Sequence, residues 1–522
     1  MRNHLPLTLA DMLELNAVRF GDTPAYIVGD RQLTHRQLLE RARRLASALE
    51  RAGVRKQDRV SMLAMNCMEY GEVLAAGQLS GMIIATVNFR LAPPEMAFII
   101  KDAAPRVLIF EAQYLDVVGQ LRADFKTIEH YVCIGGSADW AQDYETFVKS
   151  GDAAGPSIHA VEEDIACLIY TSGTTGRPKG CIWGQREYRQ MAHTLSNEQR
   201  TGLADKALLV MPMFHIGAMA IQLAIHFRGG TVHLHRLFDP AALLADSVRE
   251  RITVWHLAPT MVQMVLEQPG IEKLDLSALK KIIYSASAMP GPVLLLGMRL
   301  LGENVFLQFY GQSEAIITGL QPEQHRPNGS ERERRWLTSV GHPFPNTLLK
   351  IVDEEGREVP RGSAGEVAVK STAMARGYWN NHPGTLETFR DGWCHTGDMG
   401  RLDEDDLLYL VDRKKDMIIS GGENIYSREV EEALLLHAAV SECAVIGLPD
   451  AKWGESVCAV VVLRAGLSAT EAELIEHTRR QIASYKKPKK VYLVSELPKL
   501  PTGKINKVQL RQQYAVPAET QA

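Results

Sequence analysis

The sequence predicts an α/β protein: a large N-terminal domain of parallel α/β sheets with a small β subdomain, then a small α+β C-terminal domain. Three observations predict it. Up to about residue 345, strand-like apolar runs alternate with helical patterns, as in parallel sheets covered on both faces. From about 345 to 412, short strands are separated by Gly, Pro and acidic turns, which favours antiparallel β structure. A charged cluster, Asp412–Asp416, precedes the C-terminal α+β segment.

The elements can be justified in chain order. An amphipathic helix opens at Leu33 and stops at Gly53, and a second helical pattern lies around Tyr70–Leu79. Short apolar runs predict the strands of the first region at 59–64, 82–87, 106–110, 207–211 and 281–284. Strands are also predicted at 348–352, 365–369, 407–411 and 457–463, and helices at 427–436 and 469–484. We therefore place an N-terminal domain at 1–412, a linker at 413–416 and a C-terminal domain at 417–522.

Composition excludes several classes of protein. The chain has 522 residues, of which 46 % are apolar, so it is globular rather than disordered. Its 58 basic and 62 acidic side chains give a net charge of −4, which argues against nucleic acid as a partner. Seven cysteines without a C-x-x-C pair predict buried reduced thiols rather than a zinc site. No signal-peptide pattern and no long apolar run occurs, so we expect a cytoplasmic protein without a transmembrane segment.

The strongest local signal is the segment Ile165–Gly180. A buried apolar strand runs into Thr171, Ser172, Gly173, Thr174, Thr175 and Gly176, and a lysine, Lys179, closes the loop. Glycines let backbone N–H groups converge on an anion, while hydroxyls add donors and the lysine adds charge. Pro178 and Gly180 break the Walker A pattern, so this is a phosphate-binding loop of another kind.

Five motifs together resemble one known family. Tyr170–Gly180 resembles the signature loop of the adenylate-forming acyl-CoA synthetases, the AMP-dependent synthetase/ligase family, of the fatty-acid or aryl-acid CoA ligase type. The family order and spacing continue in Tyr310–Glu314, Trp393–Asp398, Asp412–Asp416 with Ile419–Ile425, and Leu500–Ile505. The resemblance implies a two-step ligase that forms an acyl-adenylate from ATP and then an acyl-CoA thioester, releasing pyrophosphate and AMP.

The resemblance also implies roles for single residues. Lys504 would be catalytic, bridging the attacking carboxylate and the α-phosphate. Tyr310 would stack on adenine, Asp398 would accept the ribose hydroxyls and Arg413 would add a second ribose contact. The remaining ATP-binding positions would be Gly311, Gln312 and Ser313, together with Lys179 and the loop from Thr171 to Gly176.

Metal, hinge and coenzyme roles follow from the same resemblance. Glu314 and Thr171 would bind Mg²⁺, because hard oxygen ligands suit that ion. Lys415 would be the hinge about which the small domain rotates, since a charged, solvated segment without apolar anchoring suits a hinge. The coenzyme A tunnel would be formed by Ser420, Gly421, Gly422, Glu423 and Asn424.

The acyl pocket would include His215, Ala286 and Ala288. Small or aliphatic neighbours favour an apolar substrate, either a medium- or long-chain fatty acid or an aryl acid of the cinnamate type. Pro498–Lys504 also fits a P-x-x-x-x-G-K pattern, so Lys504 is a candidate for reversible acetylation by an acetyltransferase and a deacetylase. A homodimer is the default expectation for the oligomeric state.

Rival readings remain open. An α/β-hydrolase would use Gly311–Ala315, which approaches G-x-S-x-G but lacks the last glycine. A non-enzymatic nucleotide-binding protein would leave Lys504 and Glu314 without a role. Within the family, an adenylating enzyme with an acceptor other than coenzyme A is the main alternative.

Overall fold

The computed structural model describes residues 8–171, 177–420, 423–450, 452–499 and 505–515. The chain divides into two compact units: a large unit of residues 1–349 and 369–395, and a smaller unit of residues 350–368 and 396–522.

The strands, in chain order, are β1 Pro24–Val28, β2 Arg31–Thr34, β3 Arg59–Leu63, β4 Ile83–Thr86, β5 Val107–Glu111, β6 His130–Ile134, β7 Gln142–Asp143, β8 Ile165–Thr171, β9 Lys179–Gly184, β10 Lys206–Leu209, β11 Thr231–Leu234, β12 Val254–Leu257, β13 Lys281–Tyr284, β14 Phe306–Gln312, β15 Ala315–Leu320, β16 His342–Pro343, β17 Thr347–Val352, β18 Gly365–Ser371, β19 Phe389–Arg390, β20 Trp393–Leu402, β21 Leu408–Arg413, β22 Ile418–Ser420, β23 Glu423–Ile425, β24 Val440–Asp450, β25 Gly454–Leu463 and β26 Lys490–Val494.

The helices, in chain order, are α1 Leu9–Arg19, α2 His35–Arg51, α3 Met68–Ser80, α4 Pro93–Ala103, α5 Leu115–Leu121, α6 Tyr144–Lys149, α7 Gln185–Glu198, α8 Ile216–His226, α9 Pro240–Arg249, α10 Pro259–Leu266, α11 Gly291–Leu301, α12 Glu331–Trp336, α13 His382–Thr388, α14 Ser427–Leu435, α15 Glu471–Gln481 and α16 Lys507–Tyr514. None of the helices in the described part of the chain has the length and apolar character needed to cross a membrane.

Two sheets carry the large unit. The nine-stranded sheet runs β16-β15-β14-β13-β12-β10-β11-β1-β2, and its strands from β14 to β1 pair in parallel. The seven-stranded sheet runs β7-β6-β5-β3-β4-β8-β9 and is parallel except for the antiparallel β8–β9 pair. Helix–strand alternation buries both sheet faces, which is why the strands are almost wholly apolar. The predicted fold class is confirmed.

Local sequence explains the best-predicted helices. The side chain of Thr34 accepts a hydrogen bond from the backbone N–H of Gln37, and Gln37 bonds back to Thr34, so this capping box starts α2. Helix α3 is buried along its whole length and ends at Gly81, whose φ of +76° suits glycine. The expectation of buried thiols is also confirmed, because all seven cysteines are free and buried.

The smaller unit holds the antiparallel pair β20–β21 and an α+β segment. In that segment the strand order is β23-β22-β25-β24, and β26 pairs in parallel with β25. Its core packs strands against α14 through residues such as Ile418, Val430, Leu434 and Val445. A further sheet of five strands has the order β17-β18-β20-β19, with β21 beside β20. The antiparallel texture predicted for about 345–412 is confirmed for the β19–β20 and β20–β21 pairs.

Candidate active site

The predicted phosphate loop joins two strands of a hairpin. Strand β8 ends at Thr171, and β9 begins at Lys179, directly opposite Thr171 in the antiparallel pair. The loop residues Ser172–Gly176 lie outside the described residues. The sequence predicted the first strand and the closing lysine but not the second strand. Both ends of the loop are therefore fixed by an apolar stem.

A tyrosine that the sequence reasoning missed joins Lys179 to Glu314. The ammonium of Lys179 lies 4.9 Å from the ring centroid of Tyr378, a cation–π distance. The hydroxyl of Tyr378 donates to Oε1 of Glu314 at 2.5 Å. The predicted phosphate-loop lysine and the predicted metal ligand are thus brought together by one aromatic side chain. We call Lys179, Tyr378 and Glu314 the loop cluster.

Backbone pairing positions Tyr378 beside the hairpin. The N–H of Ile182 donates to the carbonyl of Gly377, and the N–H of Trp379 donates to the carbonyl of Gly180, at 2.9 and 2.7 Å. Residues 377–379 therefore run alongside β9 like an extra strand. The sequence offered no signal for this pairing, because the two segments are far apart in the chain.

Glu314 lies in a nearly dry environment. It is 8 % exposed and Tyr378 is 6 % exposed. Burial, followed by the charge of Glu314, raises the pKa of the Tyr378 phenol, so it stays a neutral donor. Burial raises the pKa of the nearby Cys181 thiol in the same way. The phenol that donates to the carboxylate and the nearby thiol are therefore both neutral.

The turn that carries Glu314 is tightly constructed. Tyr310, Gly311 and Gln312 are the last residues of β14, and Ser313 follows the strand. The pairing of β14 with β15 shifts register between Tyr310 and Gly311. A Cβ at Gly311 would lie 2.7 Å from the carbonyl oxygen of Ala315, so the close backbone approach requires glycine there. The indole of Trp183 donates to the carbonyl of Ser313 at 2.9 Å. Strand β9 thus anchors both the phosphate-loop lysine and this turn.

The donor set fits Mg²⁺. The buried carboxylate of Glu314 is a hard oxygen ligand of the kind that this ion prefers. Glu314 would hold the ion, with Thr171 at the hairpin end as a second ligand. When bound, the ion would neutralise phosphate oxygens.

In the smaller unit, Asp398 and Arg413 face each other across β20 and β21. Nε of Arg413 lies 2.6 Å from Oδ1 of Asp398, and Asp398 is 4 % exposed. The backbone N–H of Asp398 donates to the hydroxyl of Thr396 at 3.1 Å. Gly397, with φ of +68°, turns the backbone between them. The two predicted ribose contacts are therefore brought together.

The predicted hinge differs from the expected solvated segment. Lys415 is exposed, but Asp412 and Asp416 are buried. Asp412 accepts from the hydroxyl of Ser427 at 3.1 Å, and Arg511 lies 2.7 Å from Asp416. The expectation of a wholly solvated segment was therefore wrong, since distant residues supply polar partners for the acidic side chains.

A half-buried lysine strengthens this arrangement. Nζ of Lys507 lies 2.7 Å from both the hydroxyl of Ser427 and Oε1 of Glu431. Burial raises the pKa of Asp412, and the charge of Lys507 opposes that shift. We call Asp412, Ser427, Glu431 and Lys507 the hinge cluster.

The predicted coenzyme A segment forms a short hairpin. Ser420, which is half-buried, pairs with Glu423, which is exposed, in the antiparallel β22–β23 pair. Asn424 lies on β23, opposite Ile419. Gly421 and Gly422 lie outside the described residues, as does the predicted catalytic residue Lys504.

The predicted acyl-pocket residues lie on two segments of the large unit. His215 occupies the N-cap position of α8 without a side-chain capping bond and is half-buried, whereas Ala286 and Ala288 are exposed after β13. The sequence reasoning missed His256, which links the two segments. Its Nε2 lies 2.9 Å from the hydroxyl of Ser285, and a Cβ added to Gly217 would lie 3.5 Å from its ring.

His256 is held in its neutral form. It is 2 % exposed, and burial lowers its pKa to about 4. Its Nδ1 has no hydrogen-bond partner among the residues that the structure describes. A pocket that includes this residue would present an uncharged polar edge to a substrate.

A hairpin whose connecting sequence is rich in Thr, Ser and Gly, a buried carboxylate and a lysine at the edge of a sheet are features expected of a nucleotide-binding α/β enzyme. Residues 13–379 match the AMP-binding enzyme family, and residues 429–504 match the AMP-binding enzyme C-terminal domain. The chain therefore belongs to the AMP-binding, adenylate-forming family, whose members include the AMP-forming acid–thiol ligases. The predicted family and enzyme class are confirmed.

Two relatives match nearly the whole chain. A fatty acid–[acyl-carrier-protein] ligase, ScoC, from Streptomyces coeruleorubidus is 35 % identical over 97 % of this chain and 96 % of its own length. A feruloyl-CoA synthase from Amycolatopsis is 36 % identical over 95 % of this chain and 96 % of its own length. One is named for a fatty acid and the other for an aryl acid.

Two solved structures share the fold. The anthranilate CoA ligase AuaEII in complex with anthranoyl-AMP is 28 % identical, with a TM-score of 0.89, over 98 % of both chains. The amide bond synthetase McbA from Marinactinospora thermotolerans is 29 % identical, with a TM-score of 0.86, over 97 % of this chain and 100 % of its own. The final acceptors named in these matches differ, although the fold does not.

Proposed function

We propose that the protein is an ATP-dependent carboxylate–CoA ligase that forms an acyl-adenylate and then an acyl-CoA thioester. The observation that carries the proposal is the loop cluster, in which Tyr378 joins Lys179 to Glu314 at the phosphate hairpin. A fixed cation and a buried metal-binding carboxylate are the groups that phosphoryl chemistry needs near a triphosphate. The five family motifs support the same conclusion.

The nucleotide contacts in this proposal are those that the family motifs imply. In this proposal Lys179 and the hydroxyls of Thr171 and the loop after it bind the phosphates, while Tyr310 stacks on adenine. Asp398 accepts hydrogen bonds from the ribose hydroxyls. Arg413, paired with Asp398 at 2.6 Å, orients that carboxylate and adds a ribose contact.

Lys504 supplies the charge for the first step. Its ammonium bridges the attacking carboxylate and the α-phosphate, where negative charge accumulates on both groups. The smaller domain, 417–522, then rotates about 413–416, with Lys415 as the hinge. Ser420 to Asn424 subsequently line the tunnel through which the thiol of coenzyme A reaches the adenylate.

The acyl substrate is apolar, either a medium- or long-chain fatty acid or an aryl acid. In this pocket Ala286 and Ala288 are small, and His215 lies at the entrance. His256 stays uncharged because burial lowers its pKa to about 4. The neutral ring of His256 suits a phenolic or heteroaryl substituent better than a second carboxylate. Relatives named for fatty and aryl acids support both classes.

A second acceptor is supported by the comparisons. One relative is named for an acyl-carrier protein and one solved structure for amide bonds. The second step in this chain would then transfer the acyl group to a carrier thiol or to an amine, while adenylation stays the same.

Exchange of labelled pyrophosphate into ATP tests the proposal. The full-length protein is supplied with ATP, Mg²⁺ and a panel of fatty and aryl acids, and acid-dependent exchange is expected. Product analysis with coenzyme A, an acyl-carrier protein or an amine then distinguishes the acceptors. Absence of exchange with every acid, in a protein shown to be folded, would reject the adenylation step and with it the proposed function.

A further inference from the structure

We propose that His233, His235 and Asp246 form a binding site for a divalent transition-metal ion, with Zn²⁺ as the preferred occupant. The site lies in the large unit, between the end of strand β11 and helix α9. It shares no residue with the proposed ATP, coenzyme A or acyl sites. Its test is metal binding, so the proposal does not depend on the proposed function.

The two histidines face the same carboxylate oxygen. They are separated by one residue, so an extended backbone directs both rings to one face. Nε2 of His235 lies 2.8 Å from Oδ2 of Asp246, and Nε2 of His233 lies 3.5 Å from the same oxygen. The three ligand atoms lie within 4.8 Å of one another. Bonds of about 2.1 Å to tetrahedral Zn²⁺ place ligand atoms about 3.4 Å apart, so side-chain shifts of about 1 Å bring the three ligands to that geometry.

His233 is the residue that a metal ion would explain. Its side chain is 1 % exposed, and neither ring nitrogen has a hydrogen-bond partner within the described ranges of the chain. Buried polar groups are nearly always satisfied, because leaving one without a partner is costly. A metal ion beside Asp246 would give Nε2 of His233 a partner.

The carboxylate is already oriented for this task. Nη2 of Arg249 lies 2.6 Å from Oδ1 of Asp246, which turns Oδ2 toward the two imidazoles. Nε of Arg249 in turn lies 3.1 Å from Glu250, whose charge offsets that of the guanidinium. Outer partners of this kind fix the ligands of metal sites.

His235 is fixed through its backbone. Its N–H donates to the carbonyl of Leu209, and its carbonyl accepts from the side-chain amide of Asn66, each at 3.0 Å. Ligands on a rigid backbone are pre-organised for binding. Two imidazoles and one carboxylate suit Zn²⁺, Co²⁺ or Ni²⁺ rather than Mg²⁺ or Ca²⁺.

An ion can reach the site from solvent. The side chains of His235 and Asp246 are 10 % and 16 % exposed, whereas His233 forms the buried end. Three protein ligands leave a fourth position for water. This arrangement matches an open site rather than a sealed one.

Titration of the metal-free full-length protein with Co²⁺ tests the proposal. We expect one equivalent to bind with a visible d–d absorption band, and Zn²⁺ to abolish the band by displacement. His233→Gln and Asp246→Asn should each weaken binding by about 100-fold, since loss of a direct ligand should cost at least as much as loss of an outer partner. The matched control, His437→Gln with His477→Gln, removes another histidine pair, whose ring centroids lie 5.0 Å apart, and should change nothing.

The deciding comparison is between the unaltered protein and Asp246→Asn. Asp246 lies at the partly exposed edge of the site, so this variant should fold even where a change at buried His233 does not. Circular dichroism verifies folding. If the unaltered protein binds Co²⁺ no more tightly than folded Asp246→Asn, or if the control variant removes the band, the three residues are not a metal site.

Discussion

Glu314 in the large unit and Asp398 in the smaller unit are both buried carboxylates, but different groups hold them. Glu314 accepts from the neutral phenol of Tyr378 at 2.5 Å, whereas Asp398 is paired with the guanidinium of Arg413 at 2.6 Å. A neutral donor leaves the negative charge of Glu314 available to a cation. The guanidinium instead compensates Asp398, which suits an acceptor for neutral hydroxyls.

The same contrast extends to the surroundings of the two residues. The loop cluster is fixed by strand pairing and aromatic packing, so its geometry does not depend on exposed ion pairs. The hinge cluster consists of three charged side chains and the hydroxyl of Ser427, with Lys507 2.7 Å from Glu431. Ion pairs and hydrogen bonds can exchange partners without loss of an apolar core. The loop cluster is thus held mainly by backbone pairing and an aromatic side chain, whereas the hinge cluster is held mainly by polar and charged side chains.

Of the changes considered, removal of the Lys504 ammonium, the catalytic charge proposed for the smaller unit, should lower a reaction rate the most. We expect Lys504→Ala to lower the rate of adenylate formation by about 100- to 1,000-fold, the cost of removing one donor from a developing charge. Thioester formation from supplied acyl-adenylate should stay nearly unchanged. Single-turnover measurement of each half-reaction checks this.

A neighbouring lysine gives a matched control for that variant. Lys499 lies in the same segment and forms a surface ion pair with Glu442 at 3.0 Å, so Lys499→Ala should keep both rates. Equal losses in the two half-reactions of Lys504→Ala would contradict the role of Lys504 in the first step.

A pair of variants separates charge from position in the loop cluster. Glu314→Gln keeps the shape but removes the charge, so we expect about a 100-fold loss of kcat/KM in pyrophosphate exchange and a higher Mg²⁺ requirement. Tyr378→Phe keeps the ring over Lys179 but removes the hydroxyl, so its loss should be about tenfold smaller. Rates measured across a Mg²⁺ series give both values, and identical losses in the two variants would show that Glu314 acts only through its hydrogen bond.

Sequence alone identified Glu314 and Lys179 but not the residue between them. Both lie in short motifs whose chemistry is local, and the buried strand β8 follows from its apolar run. Tyr378 is 64 residues from Glu314 in the chain, and no periodicity predicts that pairing. His256 and Ser285 are similarly brought together by the parallel pairing of β12 and β13.

At the hinge, by contrast, a local sequence pattern led to a wrong prediction of solvent exposure. Five consecutive residues with charged side chains at 412–416 indicate a solvated segment when only neighbours in sequence are considered. Ser427 and Arg511 supply polar partners for Asp412 and Asp416 from 15 and 95 residues away. Burial of a charge depends on such partners, so exposure could not be predicted from the run itself.

The hinge can be tested by restricting one backbone angle. Lys415→Pro fixes φ and should slow thioester formation about tenfold more than adenylation, because only the second step follows the proposed rotation. Lys415→Ala is the matched control, since it removes the charge but leaves the backbone free, and it should preserve the ratio of the two rates. A ratio that Lys415→Pro leaves unchanged would argue against a hinge at this residue.

The smallest effect that we expect is a difference between the two units in how strongly acid destabilises them. Burial lowers the pKa of His226 to about 3, and those of His256 and His325 to about 4. The unfolded state takes up these protons below about pH 6.5, while the folded state does not. The free energy of unfolding of the large unit therefore decreases as the pH is lowered. Each histidine should contribute about 1 kcal/mol per pH unit between pH 6 and 5.

For Asp412 and Glu431 in the smaller unit the sign is reversed. Burial raises the pKa values of Asp412 and Glu431, so the folded state takes up protons before the unfolded state and acid stabilises it over that range. Calorimetry at pH 7, 6 and 5 should show the transition of the large unit falling faster. His325→Gln should reduce the pH dependence of that transition without altering the other, and an equal change in both transitions would show that the two units unfold as one.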